Sequence, residues 1–146
     1  MERINATTVA IEGHGVMLRG PSSSGKSDLA LRLIDEGACL VADDFTEIEC
    51  EGARLVAHPP PAIAGLLEVR GLGIVELIPA GPTTLAACVD LVTTDVIERM
   101  PCAETAAIGT TGQVIPLFRL APFESSATAK VRLAVRLCTG GIMRRT

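Results

Sequence analysis

Apolar positions along the chain follow two rhythms. Between residues 26 and 36 the rhythm is helical: Leu29 with Leu33 and Ala30 with Ile34 form i, i+4 pairs on one face, and Gly37 stands where a helix would end. A second helical stripe runs through Ala127, Val131, Ala134, Val135 and Cys138, with Gly140-Gly141 behind it. Elsewhere the apolar runs are short and bounded by turn residues. Val9–Ile11 and Gly15–Leu18 read as strands around the turn Glu12-Gly13-His14, and Cys39–Ala42 as a buried strand ending in two aspartates. Phe45–Cys50 and Ala53–Ala57 predict a hairpin closed by Glu51-Gly52. The run Pro59-Pro60-Pro61 stops regular structure and opens a short segment over Ala62–Leu66. Gly73–Ile78, Leu85–Val92 and Gln113–Leu120 complete the strands, with Pro116 marking the last as an edge. This order predicts one mixed α/β layer structure.

Composition narrows the function. The 146 residues are 48% hydrophobic, carry a net charge of −4 and include three aromatics, Phe45, Phe118 and Phe123. That balance speaks against a nucleic-acid module, which needs a basic groove and stacking rings. No apolar run approaches the roughly 18–20 residues that cross a bilayer, so no membrane role is expected. Five scattered cysteines form no C-x-x-C pair, and with His14 and His58 they complete no zinc pattern. They read as small hydrophobes of a reducing, cytoplasmic protein.

One motif carries chemistry outright. Gly20-Pro21-Ser22-Ser23-Ser24-Gly25-Lys26-Ser27 satisfies G-x-x-x-x-G-K-S between a predicted strand and a predicted helix. Small residues let backbone N–H groups turn inward on phosphate oxygens, and the helix N-terminus adds partial positive charge. Lys26 would reach the outer phosphates of ATP and the Ser27 hydroxyl would hold Mg²⁺. Asp43 and Asp44 end a hydrophobic strand only 17 positions after Lys26, where carboxylates can serve a magnesium-bound nucleotide or a nucleophile. Charges after a strand also often just face water. In Leu67-Glu68-Val69-Arg70-Gly71-Leu72-Gly73-Ile74-Val75, alternating glycines mark a bulge or a close backbone approach.

Taken together, GPSSSGKSDLALRLI, LVADD and HPPPAIAGLLEVRGLGIV resemble, in order and spacing, the catalytic domain of HPr kinase/phosphorylase. The resemblance covers residues 4–75 well and the remainder loosely. It implies a single mixed-sheet P-loop domain of the phosphoenolpyruvate carboxykinase-like kind, over residues 1–146, in a short form without the regulatory N-terminal domain and long C-terminal helices of larger enzymes. It also implies an ATP- and Mg²⁺-dependent serine kinase acting on an HPr-like carrier protein. The reverse reaction would take up phosphate and release pyrophosphate, and a homo-oligomer is left open. Carried over by position, Gly20, Pro21, Ser22, Ser23, Ser24, Gly25, Lys26 and Ser27 would cradle the nucleotide phosphates. Ser27 and Glu68 would ligate Mg²⁺. Lys26 would neutralise the transferred group, Asp44 would exchange the serine proton beside Asp43, and Arg70 would orient carboxylates or phosphate charge.

The chain departs from the family pattern at three places. Asn5 stands where the family usually carries His, and an amide takes no proton near neutral pH. Ser23 stands where Gly is common, a substitution penalised if that position needs positive φ. Residues 79–85 are too short to hold the family's arginine-bearing loop. A P-loop kinase for a small molecule and a non-catalytic nucleotide-binding regulatory module are the alternative readings.

Overall fold

The structure, a computed structural model, describes residues 1–145. In chain order its strands are β1 (Glu2–Asn5), β2 (Thr7–Ile11) and β3 (His14–Arg19), followed by helix α1 (Lys26–Asp35). Next come β4 (Cys39–Ala42), β5 (Phe45–Glu51), β6 (Arg54–His58), β7 (Leu66–Val69), β8 (Gly73–Glu76) and β9 (Thr83–Leu91). Then β10 (Glu104–Ala107), β11 (Val114–Leu120) and helix α2 (Ala127–Thr139) close the chain. Short 3₁₀ turns lie at Pro61–Ile63 and Thr94–Val96.

β9 organises the main sheet. β3 runs parallel to it along one side, from Gly15 opposite Leu85 to Arg19 opposite Asp90. Its other side is shared: β6 pairs antiparallel with Thr83 and Thr84, and β11 pairs parallel with Cys88–Leu91. Beyond β3 the sheet continues antiparallel through β2 to β4, and beyond β6 through β5 to β1. β7 and β8 form a separate hairpin.

Strand alternation sorts side chains to two faces. Val9, Val16, Leu18, Val89 and Leu91 face α1 and α2, which contribute Leu29, Ala30, Leu33, Ala127, Val131 and Val135. Ala10, Met17 and Cys88 face the opposite way, where the curling sheet closes over Val41, Ile48, Leu55, Ile108 and Ile115. Leu18, Leu29 and Leu33 are at most 1% exposed, and each such burial contributes about 1.5–3 kcal/mol. Both helices stop as their glycines predict. Ala38 N–H bonds Leu33 O and Gly37 N–H bonds Ile34 O, both at 3.0 Å, with Gly37 at φ +112°. Gly140 adopts φ +85° at the end of α2.

Several expectations need correction. β1 and β10 were not anticipated. Both are four residues long with little apolar content, and they exist through the ladders offered by β5 and β11. β11 is not an edge strand despite Pro116, because it lies between β10 and β9. Its ladder to β9 begins at Leu117, one residue past the proline, so the missing N–H falls outside that ladder. The hairpin β5–β6 turns on Gly52-Ala53, since Glu51 already pairs with Arg54. Leu66, placed by sequence at the end of a proline-led segment, and residues 67–69, placed in the motif that follows, together form β7.

Candidate functional site

The segment between β3 and α1 is a tight loop at the carboxyl end of the parallel strands. Ser24 N–H bonds Pro21 O at 3.0 Å. A side chain at Gly20 would place its Cβ 2.5 Å from Ser24 Oγ, so glycine lets the loop fold back here without displacing that hydroxyl. Gly25 caps α1 in the left-handed region at φ +97°. Ser23 holds φ +67°, so this position does require the conformation that glycine adopts at least cost. Among the described residues the N–H groups of Gly25, Lys26, Ser27 and Asp28 have no protein acceptor. They form the donor cluster that an anion requires. The Lys26 side chain lies buried along the loop, donating to Gly20 O at 2.6 Å and Pro21 O at 3.2 Å.

Across from the loop, Asp43 is 6% exposed and ties three elements together. Its Oδ1 accepts from Ser27 Oγ of α1 at 2.7 Å and from Thr7 Oγ1 of β2 at 3.1 Å, and its Oδ2 accepts from the Glu68 N–H of β7 at 3.2 Å. A buried carboxylate without such partners would be costly. Asp43 therefore does not face water as a strand-end charge often does. Asp44 does the opposite: it is exposed, at φ +67°, in a three-residue turn closed by Phe45 N–H on Asp43 O at 2.7 Å. Its own N–H donates to Thr7 Oγ1 at 3.0 Å. Behind this pair, Thr46 donates to Ala6 O, which leaves Thr8 as donor to Thr46 at 2.9 Å. Asn5 ends β1 opposite Phe45, next to the turn.

Glu68 is exposed on a strand whose next side chain inward, Leu67, is fully buried. Arg70 lies two residues farther out, in a turn with Gly71 at φ +95° and Gly73 at φ +97°, which explains the alternating glycines. The structure thus joins Lys26, Ser27, Asp43, Asp44 and the Glu68 backbone in one place. Arg70 makes no hydrogen bond or ion pair among the described residues. His14 is exposed, and His58 lies 3.8 Å from Glu49 across the β5–β6 hairpin.

No three His, Cys, Asp or Glu side chains converge among the described residues, so no all-protein metal cage exists there. The donor set nonetheless fits magnesium, which binds through one or two carboxylates, hydroxyl oxygens, water and substrate phosphates. Ser27, Asp43 and Glu68 are all hard oxygen donors.

Three groups here were not singled out by sequence. Thr7 joins both aspartates; its only signal was a polar pair opening an apolar strand. Asp90 receives Arg19 in a two-pronged ion pair, Nε to Oδ1 at 2.7 Å and Nη2 to Oδ2 at 3.1 Å, which fastens β3 to β9 one residue before the loop. That bond, working against partial burial, raises the Arg19 guanidinium above its ordinary value. Phe123 lies against the loop from the segment after β11: a Cβ on Gly25 would be 2.9 Å from its ring.

HPr kinase/phosphorylase of Shouchella clausii is 45% identical over 76 residues, and HPr kinase/phosphorylase 1 of Oceanobacillus iheyensis 46% over 76. Each alignment takes in 51% of this chain and 24% of the relative, so the matched part spans about a quarter of these curated proteins. The Hpr(Ser) kinase/phosphatase structure from Coxiella burnetii superposes with a TM-score of 0.78 at 23% identity, covering 93% of this chain and 95% of that one. It shares the fold. The model of the HPr Serine kinase C-terminal domain matches residues 1–80, the stretch holding the loop, both aspartates and the β7–β8 hairpin, and the chain belongs to that family.

Proposed function

We propose that this chain is a cytoplasmic protein serine kinase that moves the γ-phosphoryl group of ATP to a serine hydroxyl of an HPr-like carrier. It would also run the phosphorolytic reverse, with residues 1–146 acting as one catalytic domain. The observation that carries the reading is the Asp43 carboxylate, which binds the phosphate-loop serine on one side and the β7 backbone on the other. It sits beside an exposed Asp44 held in a left-handed turn.

In this reading the N–H groups of residues 25–28 hold the nucleotide phosphates, and Lys26 turns from its loop carbonyls to the transferred group. Ser27 and Glu68 would hold Mg²⁺ beside Asp43; when bound, the ion neutralises phosphate charge. Asp44 accepts the proton of the incoming serine hydroxyl as its oxygen bonds the γ-phosphorus and the bond to ADP breaks. In reverse, an oxygen of inorganic phosphate bonds the phosphoserine phosphorus, the serine oxygen leaves, and Asp44 returns its proton, giving pyrophosphate. Positioning and charge neutralisation carry most of such a reaction. Arg70 stands near the tip of the hairpin that bears Glu68, free to meet an incoming phosphate or carboxylate. Exposed Leu72 and Ile74 on that hairpin give a protein substrate an apolar surface beside the site.

The test is transfer of label from γ-phosphate-labelled ATP to a purified HPr-like carrier and to its Ser→Ala variant. Label on the carrier serine alone, lost with Lys26→Ala, is the expected result. Label on a small metabolite, or nucleotide bound without turnover, would overturn the proposal.

A further inference from the structure

The phosphate loop is one wall of a larger cleft of about 710 Å³. The other walls are residues 91–94 with Val96, at and beyond the end of β9, and residues 121–124, just after β11. β3, β9 and β11 are mutually parallel where they lead into these three segments. The cleft therefore opens outside the carboxyl ends of parallel strands, the place where open α/β sheets receive ligands. Its volume lies in the range of small-molecule sites.

The lining is apolar apart from a few hydroxyls and Glu124. Beyond the loop its apolar members are Leu91, Val92, Val96, Ala121, Pro122 and Phe123. Phe123 is 71% exposed although it is one of only three aromatics in the chain. One part of its ring is spent against Gly25, and the remainder is uncovered. Ser24, also in the lining, has a buried hydroxyl with no partner among the described residues, a hydrogen bond left for a ligand.

We infer that this cleft takes the purine nucleoside of the nucleotide, its base stacked against Phe123 and its phosphates running into the loop. The inference rests on the phosphate-loop reading above and extends it to the other end of the same ligand. A flat aromatic ring suits an apolar wall with one exposed phenyl face. Continuity with Pro21–Ser24 gives a single ligand access to both halves.

Calorimetric titration with ATP and with inorganic tripolyphosphate, each with Mg²⁺, separates the two ideas. Phe123→Ala is expected to weaken ATP about tenfold, the scale of one lost stacking contact, while tripolyphosphate stays within about twofold. Val96→Trp, which fills the cleft from another wall, is expected to do the same without altering the Gly25 contact. Phe123→Trp should keep ATP affinity, and its emission, the only indole signal in a chain lacking Trp, should change with ATP but not with tripolyphosphate. If ATP affinity is unchanged in both weakening variants, or both ligands weaken equally, the nucleoside lies elsewhere and the inference fails while the loop reading stands. If neither ligand binds the parent chain, the loop reading itself is overturned.

Discussion

Ser23 and Asp44 both hold φ +67°, a conformation that costs an L-residue roughly 1–2 kcal/mol. Their side chains make the two cases different. Ser23 gains no hydrogen bond from its hydroxyl among the described residues, so Ser23→Gly removes strain and leaves the loop's N–H donors where they are. Part of the gain is returned as extra entropy of the unfolded chain. A net stabilisation of about 0.5–1 kcal/mol is expected, read as a melting point higher by roughly 1–4 °C with nucleotide affinity retained. A lower melting point would show that the serine supports the loop. At Asp44 an amide tolerates the left-handed region as well as a carboxylate does, and the backbone bond to Thr7 survives. Asp44→Asn should therefore keep its melting point and its ATP affinity within about twofold while transfer to the carrier falls at least ~100-fold, the share of a proton acceptor. Normal turnover would remove Asp44 from that role. The penalty at Ser23 was readable in advance because the motif is contiguous. Thr7 and Phe123 were not, because Thr7 meets the two aspartates and Phe123 the loop from distant parts of the chain.

Among the elements, those with their own periodicity were legible: α1, α2, the β2–β3 pair, β4 and β9 all match the apolar pattern within a residue or two. β1 and β10 carry no such pattern, since their order comes from neighbouring strands, and no single-chain periodicity records a neighbour. The β7–β8 hairpin is the instructive case. It pairs with no other strand and is joined to the body through buried Leu67 and the Glu68 N–H on Asp43, while Leu77 N–H on Gly65 O at 2.7 Å closes its own open end. Leu67→Ala removes the apolar anchor, a loss of about 2–5 kcal/mol for a fully buried leucine, concentrated on an element with few other attachments. Hydrogen exchange should then quicken first in residues 66–76, before the β3–β9 ladder. If Glu68 ligates magnesium, the same variant should need several-fold more Mg²⁺ for half-maximal ATP binding. Uniform exchange across both sheets would mean that the hairpin is not a separate unit.

At the scale of the whole molecule, alkaline stability is governed by cysteines, because the chain has no tyrosine and only two lysines, Lys26 and Lys130. Cys88 lies fully buried on β9. Burial pushes its thiol from 9.0 up to about 12, opposed by the charge of Arg19 and helped by that of Asp90. Burial raises Cys138 as well. Above pH 9 the unfolded chain has given up the Cys88 proton while the folded chain keeps it until about pH 12. Over that window the unfolded state binds fewer protons, so stability is full below pH 9 and declines as pH rises. The decline approaches 1.4 kcal/mol per unit, or about 2 kcal/mol between pH 9 and 10.5. Urea midpoints taken from pH 8 to 10.5 should fall accordingly. Cys88→Ala begins lower at pH 8, because it loses packing between β3 and β11, but its midpoint should fall less steeply. Parallel curves for parent and variant would place the alkaline sensitivity on another group and remove the buried thiol from the account.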